Sequence, residues 1–178
     1  MRDDIERILI DEQVIHLRLD SMAEEIEREF PPGPLVVVIL LKGAMVFAAD
    51  LLRRVPRVLE IECLNVASYH GGMESSGMVD FLDRHFPDVR GRHVLLLDDI
   101  LDTGRTLHEV RRRLLQEGAA DVHTAVLLAK NKERAAEVNA DHVGFEIGDE
   151  FVVGYGLDYQ GKYRNLPYVG VLKLSATG

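Results

Sequence analysis

Cysteine is nearly absent from this 178-residue chain, tryptophan is missing, and aromatic residues make up only 6%. The lone Cys63 excludes an internal disulfide. Set in the apolar stretch Val58–Val66, it reads as a small core residue. Positive charge is scarce: 21 Lys and Arg against 30 Asp and Glu give a net charge of −9, which argues against broad nucleic-acid binding. No apolar run approaches the roughly 20 residues that cross a bilayer, so no membrane partner is expected. Met1–Asp4 lacks the apolar region of a signal peptide, and a cytoplasmic location is the default expectation. The seven histidines include no closely spaced pair suited to a metal. Neither a Walker phosphate loop nor a Rossmann glycine fingerprint occurs. Internal repeats, low-complexity segments and linkers are also lacking.

What remains is an ordinary globular composition, 47% apolar and 29% charged, in a length that fits one domain with a sizeable core. Asp11–Phe30 reads as a helix, because Ile15, Leu19, Met22 and Ile26 recur at helical spacing. Pro31–Pro34 ends it. Leu35–Leu41 is a β-branched-rich buried strand, and Lys42-Gly43 leads from it into a second amphipathic helix that turns Val46, Phe47 and Leu51 inward. Val58–Val66 is the next strand. Ala67–Gly77 is rich in Gly and Ser and aperiodic, which suggests a mobile segment. Later strands are expected at Val122–Ala129, Val143–Ile147 and Phe151–Val153, with a short helix at Glu133–Val138.

The most informative stretch is Val94–Leu107. Val94–Leu97 is an unbroken apolar run, the mark of a strand buried on both faces. Asp98 and Asp99 follow at the strand's end. A small polar loop, Asp102-Thr103-Gly104-Arg105-Thr106, then opens a helix carried by Leu107, Val110, Leu114 and Leu115 and closed by Gly118. Backbone N–H groups and hydroxyls at a helix start form an anion site. Carboxylates cannot bind phosphate, so the acids must serve sugar hydroxyls, a metal or a proton on the same ligand. A phosphorylated sugar satisfies both halves.

On these residues the chain resembles the phosphoribosyltransferases, whose signature is a hydrophobic strand, two acids and D-T-G-x-T at a helix start. The resemblance implies 5-phosphoribosyl 1-diphosphate (PRPP) as a partner, bound through Asp98, Asp99, Asp102, Thr103, Gly104, Arg105 and Thr106. It extends to Leu41-Lys42-Gly43, similar to a family loop that binds pyrophosphate and often contains a cis peptide; an isomerisable Leu41–Lys42 bond is the expectation. It also extends to Ser68-Tyr69, which opens a lid in the family. A lid makes physical sense, since an oxocarbenium-like centre must be kept from water. Met78–Pro87 departs from the family pattern, being less basic and less strand-like.

The end of the chain narrows the branch. A lysine at the C-terminal end of a strand in an α/β sheet sits where ligands bind, and Lys130 matches the family lysine that hydrogen-bonds the 6-oxo group of a purine. The segment from Phe151 to Tyr168 resembles the purine and pyrophosphate sites of the hypoxanthine-guanine phosphoribosyltransferases. By that resemblance Phe151 stacks on the base, Val152 reads its edge, Asp158 holds a Mg²⁺–pyrophosphate unit at the purine site, and Arg164 contacts pyrophosphate. Asp98 is a further metal candidate, through water. Asp102 is the expected general base for the purine proton. Lys130 offers only donors, so hypoxanthine and guanine are the expected partners, xanthine stays open, and adenine is disfavoured. A PRPP-sensing regulator of the same fold is the other reading. The joint presence of Asp102, Lys130, Asp158 and Arg164 argues against it.

The implied fold is the α/β type I phosphoribosyltransferase fold: a mostly parallel sheet flanked by helices, with a small hood from the N- and C-terminal segments. The chain is expected to be a single domain, with a core over about 30–150 and a hood from about 1–30 and 150–178, the helix at 11–30 included. Mg²⁺ is the expected cofactor, and a homodimer or homotetramer the expected assembly.

Overall fold

The computed structural model describes residues 3–68, 79–82, 86–132 and 138–173. In chain order the elements are β1 (Ile5–Ile10), α1 (Glu12–Glu29), β2 (Leu35–Leu41), α2 (Met45–Leu52), β3 (Leu59–Ser68), β4 (Val79–Phe81) and β5 (His93–Leu101). There follow α3 (Arg105–Gln116), β6 (Asp121–Lys130), β7 (His142–Ile147), β8 (Val152–Val153) and β9 (Val169–Leu172).

Six strands form the main sheet in the order β4-β3-β2-β5-β6-β7. Five are parallel, and β4 adds antiparallel to the free edge of β3. The apolar runs read from the sequence form its centre, and alternation splits each run between two layers. Leu35, Val37 and Ile39 of β2, with Leu95 and Leu97 of β5, face Ile15, Leu19, Met22 and Ile26 of α1 and Phe47 and Leu51 of α2. Val36, Val38, Leu40, Val94 and Leu96 face the other way, onto Leu107, Val110 and Leu114 of α3. Both faces of the central strands are therefore covered, as strands at the middle of a parallel sheet require.

Chain direction reverses at the centre of this sheet. From β2 the chain moves outward to β3, whereas from β5 it moves outward to β6 and β7 on the other side. The carboxyl ends of β2 and β5 thus flank a topological switch point, where open α/β sheets bind ligands.

A separate antiparallel sheet, β1-β9-β8, joins the two ends of the chain. Its N-terminal member is β1, which the sequence reading overlooked. The helix expected at 11–30 is present as α1, but its buried face packs on the main sheet and it forms no part of that small sheet. Two further corrections follow from packing. β5 runs past the acids to Leu101, because Asp98, Ile100 and Leu101 keep pairing with Val126, Leu128 and Ala129 of β6. Cys63 is exposed rather than buried: α1 and α2 do not reach across the outer part of β3, where Ile61 is exposed as well. The segment after the expected lid pairs as a strand, β4, with the end of β3, so it is more strand-like than its composition suggested. The expected helix at 133–138 lies largely outside the described residues.

Candidate active site

The carboxyl ends of β2, β5 and β6 and the segment after β8 converge on one cleft with two chambers. The first, about 310 Å³, is lined by Leu41 at the end of β2 and Gly43 just beyond it, by Asp98–Gly104 and Thr106, and by Asp158 and Arg164. The second, about 210 Å³, is lined by Lys130, Phe151, Val152 and Leu157. Asp99, Ile100, Asp102 and Asp158 belong to both. Residues from distant parts of the chain are thereby brought together around the β5–α3 turn.

That turn has an unusual helix start. Gly104 is the N-cap of α3, at φ 79°, and supplies no side chain to the cap; the first turn carries no acidic residue. The left-handed conformation suits glycine. The amides of Arg105, Thr106 and Leu107 have no helical carbonyl a turn behind them, so they and the positive end of the dipole are open to an anion. Thr103 and Thr106 add hydroxyls at the chamber wall. Arg105 is exposed and lines neither chamber.

Asp98 and Asp99 form the opposite pole. Each carboxylate accepts a hydrogen bond from the next backbone N–H, Asp98 from Asp99 N at 2.9 Å and Asp99 from Ile100 N at 2.8 Å. Burial, reinforced by the charge of Asp99, pushes the Asp98 pKa well above the usual carboxylate range. Burial also raises Asp99, against the opposing pull of its hydrogen bonds and Arg164. Two adjacent carboxylates held this way are hard oxygen donors short of positive charge.

Gly43 is placed by contact rather than by dihedral freedom. A Cβ there would overlap the Asp99 carboxylate, and one at Gly156 would overlap the Gly43 carbonyl. The Leu41–Lys42 peptide is cis, at the loop where the sequence reading expected an isomerisable bond. Lys42 is exposed and is not among the residues lining either chamber.

The segment after β8 is tied down from two sides. Tyr155 is buried and its hydroxyl donates to Asp50 Oδ2 of α2 at 2.5 Å. Burial and that carboxylate push the Tyr155 pKa far above its ordinary value, so it stays a donor. Arg164 donates to the Gly156 carbonyl at 2.6 Å and pairs with Asp158 Oδ1 at 2.6 Å. Asp158 Oδ2 accepts from Gly161 N at 2.6 Å.

Around the second chamber the structure adds residues that sequence reasoning missed. Lys130 Nζ lies 3.1 Å from Asp149 Oδ1 and 3.8 Å from Asp102 Oδ2. Lys132 Nζ lies 2.5 Å from Asp102 Oδ1 and 3.1 Å from Asp149. Asp149 is held below the usual carboxylate range by its hydrogen bonds from Lys130 and Lys132, and Lys132 is raised by Asp102 and Asp149. The only signal in the sequence was a second lysine two residues past Lys130. Phe151 is 51% exposed, an aromatic face open to the chamber, with Tyr159 edge-on at 5.6 Å. Of the expected lid, Ser68 closes β3 with its backbone paired to Val79; Tyr69 and the segment after it lie outside the described residues.

Known proteins share this arrangement. The sequence profile of the family described as "Phosphoribosyl transferase domain" matches residues 8–160. A hypoxanthine-guanine phosphoribosyltransferase of Staphylococcus epidermidis is 42% identical over 173 residues, covering 97% of this chain and 97% of the relative. One from Streptococcus pneumoniae is 39% identical over the same length, covering 97% and 96%. Among solved structures, a hypoxanthine phosphoribosyltransferase from Staphylococcus aureus superimposes with a TM-score of 0.94 at 38% identity, covering 100% of this chain and 97% of that one.

Proposed function

The chain belongs to the phosphoribosyltransferase family and is an enzyme of its hypoxanthine-guanine branch; from that premise we propose that it transfers the 5-phosphoribosyl group of PRPP to hypoxanthine or guanine. The products are IMP or GMP and pyrophosphate. The observation that carries this reading is the pair of chambers sharing Asp99, Ile100, Asp102 and Asp158. An open helix start lies on one side of the shared wall, and a lysine and an exposed aromatic ring lie on the other.

In this reading the amides and hydroxyls of Thr103–Thr106 hold the 5′-phosphate, with Arg105 outside the chamber as an electrostatic contributor. Asp98 and Asp99 face the ribose hydroxyls. Lys42, Gly43 and Arg164 receive the pyrophosphate; Arg164 suits phosphate oxygens because its guanidinium presents a planar fork of donors. Lys130 donates to the 6-oxo group, Phe151 stacks on the ring, and the Val152 backbone reads the far edge of the base. Adenine would set its 6-amino donor against the Lys130 donor, which disfavours it.

As the bond from C1′ to the purine nitrogen forms and the bond to pyrophosphate breaks, the purine loses a proton. Asp102 takes it. Its Oδ1 is ion-paired with Lys132, and its Oδ2 lies 3.8 Å from Lys130, beyond hydrogen-bond reach, and so can accept the proton. Ser68 and Tyr69 belong to a lid that keeps water from the reacting centre.

The donor set fits Mg²⁺: Asp98, Asp99 and Asp158 are hard oxygen donors lining one chamber, and burial raises the pKa of the first two, so a bound cation would favour their charged form. Asp158 and Asp98, the latter through water, are the residues that would hold it. When bound, the ion neutralises charge gathering on the leaving pyrophosphate.

A homodimer or homotetramer completes the proposal, in the cytoplasm; the exposed Val58 and Ile61 beside Cys63 offer apolar surface for such contacts. Among the described residues no helix is long and apolar enough to cross a membrane. The test is a spectrophotometric assay with Mg²⁺-PRPP against hypoxanthine, guanine, xanthine and adenine separately. Turnover with hypoxanthine or guanine and none with adenine is expected. Absence of turnover with every 6-oxopurine would overturn the reading in favour of a PRPP-sensing regulator.

A further inference from the structure

At the end of β6 remote from Lys130, three side chains from separate elements meet. Glu29 ends α1, His123 lies near the start of β6, and His142 opens β7. One ligand-type atom from each lies within 4.8 Å of the others. Glu29 Oε2 is 3.3 Å from His123 Nδ1 and 3.2 Å from His142 Nε2. A tetrahedral zinc ion with bonds of about 2.0–2.1 Å sets its ligand atoms roughly 3.3 Å apart. Two of the three edges already have that length.

His142 supplies an independent observation. Its side chain is only 1% exposed, yet Nε2, facing Glu29, makes no hydrogen bond of good geometry. A buried ring nitrogen left this way is costly unless something else engages it. Its other nitrogen, Nδ1, faces Glu25 Oε2 at 3.8 Å. Glu25 is fixed by Arg18 at 2.7 and 3.2 Å, and Arg18 also donates to the Val143 and Gly144 carbonyls of β7. A carboxylate behind a histidine, on the side away from the metal, orients such rings and sets their tautomer. Glu29 sits at the carboxyl end of α1, where the dipole disfavours a carboxylate and favours a cation.

We propose that Glu29, His123 and His142 bind one zinc-type divalent cation that clamps the end of α1 to the β6–β7 edge, with water in the fourth position on the exposed side of Glu29. Two imidazoles and a carboxylate suit zinc rather than magnesium, which takes oxygen ligands. This separates the site in chemistry, as well as in position, from the oxygen-donor cleft. The sequence hid it because its two histidines belong to different strands.

The test is titration of chelator-treated protein with zinc chloride, in millimolar Mg²⁺, by calorimetry and thermal melting. One equivalent is expected to bind, and the melting midpoint to rise by roughly 5 °C or more at a hundredfold excess over Kd. Cobalt(II) in its place should give the visible bands of a four-coordinate ion. His123→Gln and Glu29→Gln should each weaken zinc binding at least tenfold and leave transferase activity unchanged, whereas Asp158→Asn should keep the zinc. The ring of His142 is buried, so His123→Gln carries the test. Absence of zinc binding, or binding that survives His123→Gln and disappears in Asp158→Asn, would overturn the proposal.

Discussion

α1 and α3 begin in opposite ways. At α1 the Asp11 carboxylate accepts from Gln13 N at 3.1 Å, and Glu12 adds negative charge to the first turn. The helix satisfies itself, and its start is an ordinary surface feature. At α3 the cap is a glycine, no side chain closes the first turn, and no acid sits in it. The carboxylates nearby, Asp98 and Asp99, are instead placed on the preceding strand, where burial opposes their charge. In the proposed reading the capped start of α1 is a surface feature, and the open start of α3, which borders the cleft, receives the phosphate of the ligand. Burial makes the charged form of these two acids, Asp98 and Asp99, less favourable than it would be at an exposed site.

Substitutions on each side sharpen this contrast. The largest effect is expected for Asp102→Asn, where the turn meets the second chamber: kcat should fall by about 10²–10⁴-fold with PRPP affinity nearly unchanged. Steady-state kinetics alongside calorimetric PRPP binding separate the two, and equal activity would remove Asp102 as the base. Next, Thr106→Val deletes one hydroxyl at the open start while keeping its shape. KM for PRPP should rise about tenfold, as for loss of a hydrogen bond to a charged group; an unchanged KM would say that the backbone amides suffice.

Asp98→Asn should lower activity yet raise stability. The native pKa of Asp98 is raised above its unfolded value, so the folded state holds the proton more tightly. Its contribution to stability is therefore full below about pH 4 and is lost as pH rises through the native pKa. Urea melts should show the variant more stable than the parent at pH 7, with the gap closing toward pH 4. A gap that widens on acidification would reverse the assignment. Smallest of all, Asp11→Ala at the closed start should lower the melting midpoint by roughly 2–4 °C and leave kinetics untouched.

The open helix start was legible because its signals are local. Val94–Leu97, the acids and the Thr-Gly-Arg-Thr turn follow one another along the chain, and apolar pattern and turn chemistry suffice to read them. β2 and the body of α1 were legible for the same reason. Pairing between distant segments was not. β1 and β9 are short, their register shifts, and among the described residues β1 has its strand partner only in β9, from the far end of the chain. The exposure of Cys63 depends on where the helical layer stops, which no property of Val58–Val66 states. Likewise the ion pairs of Lys132 with the proposed base and of Asp149 with Lys130 arise only when the ends of β5, β6 and β7 lie side by side.

The most direct test of the contrast between the two helix starts is amide chemical-shift mapping by NMR during titration with Mg²⁺-PRPP. The backbone amides of Thr103–Leu107 should move together and saturate with the PRPP affinity, while those of Glu12–Ile15 stay in place. Shifts of the α1 amides equal to those of α3, or an unperturbed α3 start at saturating PRPP, would contradict the account.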